Sequence, residues 1–422
     1  MEKRNSPEYA RTLDAADPLA ALRSEFIIPQ RDGRDQIYFL GNSLGLQPRR
    51  TAACLGEVLE QWGHWGVEGF FNGSTPWMQY HDRLTGPLAA VVGAKPSEVT
   101  VMNQLTVNLH LLLVSFYRPD GRRRKILCEA KAFPSDQYML ETHIRQRGLD
   151  PDEILVEVGP RPGAVQIEEE DIEAAIEQHG GELALVFLGG VNYYTGQVFD
   201  LERITAAAHK AGAKAGFDLA HAAGNVPLHL HRWNADFAAW CSYKYLNSGP
   251  GAVAGAFIHE RYHAATLQRF GGWWGYEKET RFLMQKGFRP IRSAEGWQLS
   301  TPSPLLYAAH GAALELFAVA GMEALVQKGK ALSGYVLELV QELCAAGAPI
   351  RVLTPERESA RGCQVSLLML QDGRKVFDAL TRAGIFADWR EPDVIRIAPV
   401  PLYNTFEEVW RFGQVLAEEL NC

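Results

Sequence analysis

Lys244 lies in "CSYKYLNSGPG" (residues 241–251) between two tyrosines, close behind Trp240 at the end of the apolar run "ADFAAW". A lysine by itself is ordinarily a solvated surface group. Aromatic neighbours alter that expectation, because taking an amine out of water disfavours its ammonium form and leaves a nucleophilic nitrogen. A lysine at a strand end, followed by a turn that needs glycine, is suited to forming a Schiff base.

Four further features fall where strands give way to helices, the level at which ligands bind in open α/β sheets. Asp218 ends "AKAGFD". It serves either as a helix cap or, paired with Lys244, as the carboxylate that keeps a pyridinium nitrogen protonated, which makes a pyridoxal ring an electron sink. "NQLTVN" (residues 103–108) puts Leu105 and Thr106 at a helix start, where free N–H groups favour a phosphate; a simple Thr cap is the alternative. "FPSD" offers Phe133 as a face to stack on a ring, Ser135 as a hydroxyl and Asp136 as a second carboxylate. A helix start accounts for Ser135 and Asp136 but leaves Phe133 unexplained. In "VIRIAP", alternation turns Arg396 away from Ile395 and Ile397, either to the surface or into a bidentate clamp for a carboxylate.

The elements that must hold these groups are legible in the hydrophobic pattern. From about residue 99 to 259, short apolar runs ("VTVMN", "KILCEA", "LALVFLGGV", "AKAGFDLA") alternate with amphipathic stretches, and "ADFAAWCSYK" and "GAVAGAFIHE" close the region as adjacent buried strands. Buried strands interleaved with helices imply a mostly parallel sheet covered on both faces. After "STPSP" (residues 300–304) come long helices and then a small α+β unit. The expected division is an N-terminal arm with helices (1–69) partly joining the small domain, a large α/β domain (70–302) and a small C-terminal domain (303–422). A chain of 422 residues exceeds what one core usually holds.

Composition narrows the function classes. A formal charge of −8 with no basic stripe argues against nucleic acid as a partner, and "RRRK" (residues 122–125) reads as a solvated turn leading into a strand. No run has the length of a membrane span or a signal peptide. The six cysteines lack CxxC spacing, as expected of reduced thiols in a cytoplasmic protein. His229 and His231 in "HLH" have no third ligand in view, so no metal site is expected.

Taken in order, the chain offers a phosphate site, a ring stacker, a pyridinium carboxylate, a Schiff-base lysine and an arginine for a carboxylate. This order resembles the pyridoxal-phosphate enzymes of the aspartate aminotransferase fold, fold type I. The strings "YFLGNSLGLQP", "MNQLTVNLHLLL", "EAKAFPSDQY", "YYTGQ", "GFDLAHAAGNV", "WCSYKYLNSGPG", "AGAFIHE", "RGCQ" and "RIAPVPLYN", spanning Tyr38 to Asn404, resemble the kynureninase family. The resemblance implies a homodimeric enzyme using pyridoxal 5'-phosphate to hydrolyse the Cβ–Cγ bond of L-kynurenine, and more weakly that of 3-hydroxykynurenine. It implies that Lys244 carries the cofactor and Asp218 meets the ring nitrogen, with Tyr243 as acid or base in the carbonyl steps. Phe133, Ser135, Asp136, Gly189 and His221 would surround the ring, and Leu105, Thr106 and Tyr243 would serve the phosphate side. Arg396, Phe70, Asn42 and Ser43 would face the substrate, while Trp273 and Thr301 would complete a neighbour's site across the dimer. The family often has serine where Gly189 stands, which removes a polar contact here. Animal members have histidine at Phe70 and asparagine at Thr301, differences that bear on substrate preference. Two rival readings are a cysteine desulfurase-like lyase, for which Cys363 is the candidate thiol, and a non-catalytic binding protein of the same fold.

Overall fold

A computed structural model describes residues 4–421. Seven strands form the main sheet: β1 (Val99–Val101), β2 (Lys125–Glu129), β3 (Leu155–Val158), β4 (Leu183–Gly189), β5 (Lys214–Asp218), β6 (Phe237–Trp240) and β7 (Gly255–Ile258). They lie in the order β1-β7-β6-β5-β4-β2-β3. All run parallel except β7, which is antiparallel to both of its neighbours. Strand alternation supplies two cores. Ile126, Cys128, Leu185, Phe187, Phe237 and Ala239 pack on one face, and Leu127, Val186, Leu188, Ala215, Phe217 and Ala238 on the other. A strand buried on both sides has to be apolar throughout, which is why these runs stand out in the sequence.

Four further strands, β8 (Ile350–Val352), β9 (Val365–Met369), β10 (Asp388–Arg390) and β11 (Val394–Ile397), form a second, antiparallel sheet in the order β8-β9-β11-β10. Its core is closed by the helices Met322–Ala345 and Phe406–Leu420. The helix Pro304–Ala320 instead packs on the helices Thr51–Trp65 and Tyr80–Val92, and the chain turns by 84° before Met322. The N-terminal segment reaches the second sheet's side of the molecule: Asp14 accepts N–H bonds from Phe406 and Glu407 at 2.7 and 3.0 Å, which caps the last helix. Among the described residues no single helix is long and apolar enough to cross a membrane. "RRRK" is more than a solvated turn, because Arg123 donates to the carbonyls of Gly180, Leu183 and Ala211 at 3.0, 3.1 and 2.9 Å.

Candidate active site

The carboxyl ends of β2, β4, β5 and β6 open onto one cavity of about 190 Å³. It is lined by Leu105, Thr106, Phe133, Ser135, Asp136, Gly189, Asp218, His221, Tyr243 and Lys244, which are residues of separate stretches of chain. The strands bring them to one level: Asp218 pairs with Gly189 across β5 and β4, and with Ala239 on β6, one residue before Trp240 ends that strand. The turn after Lys244 needs glycine as expected, since Gly249 and Gly251 adopt φ of +91° and +65°. Gly45 holds the same turn from outside. Its N–H donates to the Tyr243 carbonyl at 2.8 Å, and a Cβ there would come within 2.4 Å of the Lys244 carbonyl oxygen.

Lys244 Nζ lies 3.0 Å from His221 Nε2, with the Phe133 and Tyr243 rings centred 5.9 and 6.0 Å away. Burial, and next the charge of Lys244, hold the His221 imidazole well below its usual range, so it faces the amine as a neutral acceptor. Asp218 takes the Ala220 N–H on Oδ1 at 2.7 Å. Its carboxyl is pushed up by burial, an effect the Ala220 N–H and Lys244 only partly offset. Asp136, pushed up by burial and then by the nearby Asp218 charge, shares a side-chain hydrogen bond with Asp218. The helix Leu105–Phe116 begins without a side-chain cap, and Gln104, not Thr106, occupies the N-cap position. Its first N–H groups are therefore free to meet an anion.

This donor set fits pyridoxal phosphate. Phe133 is 40 % exposed and lines the cavity, so an aromatic face is available to a ring bound there. His221 Nδ1 and Glu129 Oε2 are buried without a hydrogen-bond partner, as expected of polar atoms that await a ligand. The uncapped helix start suits a phosphate, the carboxylates a ring nitrogen, and Lys244 an aldehyde.

Other expected residues lie elsewhere. Arg396 is 1 % exposed, so it is no surface group; its guanidinium forks onto the Asp388 carboxylate and donates to the Tyr193 carbonyl. Tyr193 lines the cavity, which puts Arg396 one residue behind it. Asn42 is buried, and its amide donates to Gln364 at 3.0 Å, whose own amide reaches the Tyr193 carbonyl at 3.0 Å; Ser43 donates its backbone N–H to Leu40. Phe70 packs on Trp77 and Trp274, Trp273 on Phe282, and Thr301 lines a neighbouring cavity that shares Gln104 with this one. None of these three lines the first cavity in its own chain. Glu129 and Tyr193 went unremarked in the sequence although both line it. Glu129 had a signal, since it ends "KILCE" as Asp218 ends "AKAGFD".

The desulfurase-like reading loses support on geometry. Cys363 is 1 % exposed with its thiol pushed up to about 12 by burial, and its N–H is held by Asn225, so it is a packed thiol and not a mobile nucleophile. His231, not His229, meets other ligand-type groups, Glu98 and His259. The Glu98 carboxylate there already accepts the Lys95 and Glu260 N–H groups and His231 at 2.9 Å each, which accounts for it structurally.

Solved structures share the architecture. The apo cysteine desulfurase from Thermococcus onnurineus superposes with a TM-score of 0.76 at 18% identity, covering 100% of both chains. A C-DES mutant with glycine covalently linked to its PLP cofactor gives 0.74 at 19% identity, covering 90% of this chain and 96% of that one. At such identities they establish the fold, that of pyridoxal-phosphate enzymes of fold type I. Residues 325–416 match the family model described as "Kynureninase C-terminal domain". The kynureninase of Flavobacterium psychrophilum is 51% identical over 414 residues, covering 98% of this chain and 97% of the relative. That of Stenotrophomonas maltophilia is 54% identical over 411 residues, covering 96% of each. With half its residues shared along nearly its whole length, the chain belongs to the kynureninase family.

Proposed function

We propose that this chain is a pyridoxal-phosphate-dependent hydrolase that cleaves the Cβ–Cγ bond of L-kynurenine with one water to give anthranilate and L-alanine. The observation that carries the reading is the convergence of Lys244, Asp218 and Phe133 on one cavity in a member of this family. When bound, the cofactor supplies an electron sink conjugated to the substrate Cα. Lys244 holds it and then, as a free amine, takes the Cα proton at Nζ, with neutral His221 orienting that nitrogen from 3.0 Å. Asp218, steadied by the Ala220 N–H, keeps a proton on the ring nitrogen. Phe133 packs on the ring, Ser135, Asp136 and Gly189 surround it, and the free N–H groups at Leu105 and Thr106 take the phosphate. Burial raises the Tyr243 phenol, so it stays protonated and serves as the acid when water adds to the γ-carbonyl. Arg396 binds the amino-acid carboxylate by exchanging its Asp388 partner for the substrate, with Asn42 and Ser43 on the same side.

The active species in this reading is a cytoplasmic homodimer. Support comes from large apolar side chains exposed at the surface, among them Trp62, Val67, Phe71, Phe282, Leu283 and Met284, which association would remove from water. Phe71 and Phe282 meet at 5.9 Å, and Phe282 meets Trp273 at 5.4 Å, so Trp273 joins them. Trp273, Thr301 and Phe70, which stand off their own chain's cavity, complete the partner's site. The test is anthranilate release from L-kynurenine, with light scattering alongside. Cofactor-loaded protein that releases none refutes the activity, and a fully active monomer refutes the shared site.

A further inference from the structure

Glu129 closes β2, lines the cavity and is 4 % exposed. Its Oε1 accepts the side-chain amide of Asn192 at 3.1 Å, whereas Oε2 is buried with no partner. The orientation of that amide is settled by its other end. Asn192 Oδ1 accepts the N–H groups of Tyr194 and Thr195 at 3.0 and 2.8 Å and the Thr195 hydroxyl at 3.0 Å, so only the NH2 can face Glu129. Asn192 thereby ties Glu129 to the loop bearing Tyr193, whose ring meets Phe133 edge-on at 5.3 Å and whose carbonyl takes the Arg396 N–H.

The surroundings decide which acid keeps a proton. Asp218 faces Glu129 from β5, and Asp136 from the helix Pro134–Gln146. Asn192 approaches from the loop after β4, and Val158, its pairing partner on β3, is apolar. Lys244 stabilises the charged forms of Asp218 and Asp136, while among the described residues no cation does so for Glu129, whose carboxyl is pushed up to about 7 by burial. Asp136 spends its proton on Asp218. Glu129 Oε2, by contrast, has no partner among the described residues.

Resting on the reading of this cavity as a pyridoxal-phosphate site, we propose that Glu129 is a further cofactor-binding residue: its protonated Oε2 donates a hydrogen bond to the bound cofactor while Oε1 anchors Asn192 and the Tyr193 loop. A neutral amide of the same shape reproduces both contacts at any pH, and an ionised carboxylate reproduces only one.

The test compares cofactor dissociation constants of the wild-type holoenzyme, Glu129→Gln and Glu129→Leu, by equilibrium dialysis between pH 6 and 8.5. The wild-type to Gln ratio cancels whatever pH dependence the two proteins share. It is expected to lie within threefold of one at pH 6 and to rise by about tenfold at pH 8.5, as Glu129 ionises and loses its donor. Glu129→Leu, which lacks both contacts, binds about tenfold more weakly than Gln at every pH. A flat ratio overturns the proposal, as does a Gln variant that binds like Leu or fails to fold by circular dichroism, since a neutral isostere must be tolerated. A wild-type protein that retains no pyridoxal phosphate at any pH refutes the site itself instead.

Discussion

Asp218 and Asp236 sit on the same pair of neighbouring strands, one at the carboxyl end of β5 and the other just before β6, at 8 % and 1 % exposure. Burial alone would push both up. Asp236 nonetheless lies well below the usual carboxylate range, because it accepts from His209 at 2.8 Å, the Ala215 N–H at 2.7 Å, Arg261 at 2.8 Å and the Tyr262 hydroxyl. Asp218 has one backbone N–H, an acidic neighbour in Asp136, and Lys244, and it ends above its usual range. A buried carboxylate whose lone pairs are filled by the protein holds the fold together. One left short of partners beside a cavity is kept for a ligand.

The largest expected effect removes the cation on the ligand side. Lys244→Ala is expected to lower kcat by about a thousandfold or more and to abolish the borohydride-reducible cofactor bond, with circular dichroism unchanged. A reducible bond that survives would assign the cofactor to another lysine. Asp236→Ala tests the structural side: stripping the partner from His209 and Arg261 costs about 3–5 kcal/mol in urea unfolding while leaving kcat per folded molecule intact. Asp218→Ala is expected to do the reverse, and equal stability losses at the two sites would break the comparison.

Arg396→Ala sharpens the comparison from the substrate side. Losing a charge-assisted hydrogen bond costs roughly 1.5–3 kcal/mol, so KM for kynurenine rises about tenfold or more with cofactor occupancy preserved. Lost cofactor with an unchanged KM would place Arg396 elsewhere in the mechanism. The pH dependence of stability separates the two classes with opposite signs. Asp236, depressed in the folded state, contributes stability that is full above the unfolded aspartate range and is lost only as strong acid protonates it. Glu129, raised to about 7, binds protons more tightly when folded, so its ionisation destabilises the cofactor-free protein above that pH and the penalty fades as pH falls toward the unfolded glutamate range. Cofactor-free Glu129→Gln is therefore expected to exceed wild type by about 1–3 kcal/mol at pH 8 and to match it near pH ~4.5. A constant difference would mean that Glu129 does not titrate in this window.

The smallest effect concerns specificity. If Phe70 faces the partner's substrate ring, a ring hydroxyl there goes partly unsatisfied, and kcat/KM favours kynurenine over 3-hydroxykynurenine by about tenfold. Equal constants for the two substrates would confine Phe70 to its packing against Trp77 and Trp274.

The sequence by itself determined the strands of the main sheet and the residues at their ends, because a strand buried on both faces is apolar throughout and a charged residue that terminates it is conspicuous. Lys244, Asp218, Phe133 and the helix start at Leu105 were legible on those grounds, and the family resemblance added His221 and Gly189. Alternation along β11 turned Arg396 off its apolar neighbours but did not reveal that Asp388, on the adjoining strand, meets it. Glu129 had the right place in its strand, yet its unpaired oxygen depends on Asn192, 63 positions away. Likewise nothing local separates Asp236 from Asp218: each is an aspartate beside an apolar run. Local composition determines which residues are buried, but whether a buried charge is satisfied depends on groups distant in the chain, and only the packed tertiary structure brings those together.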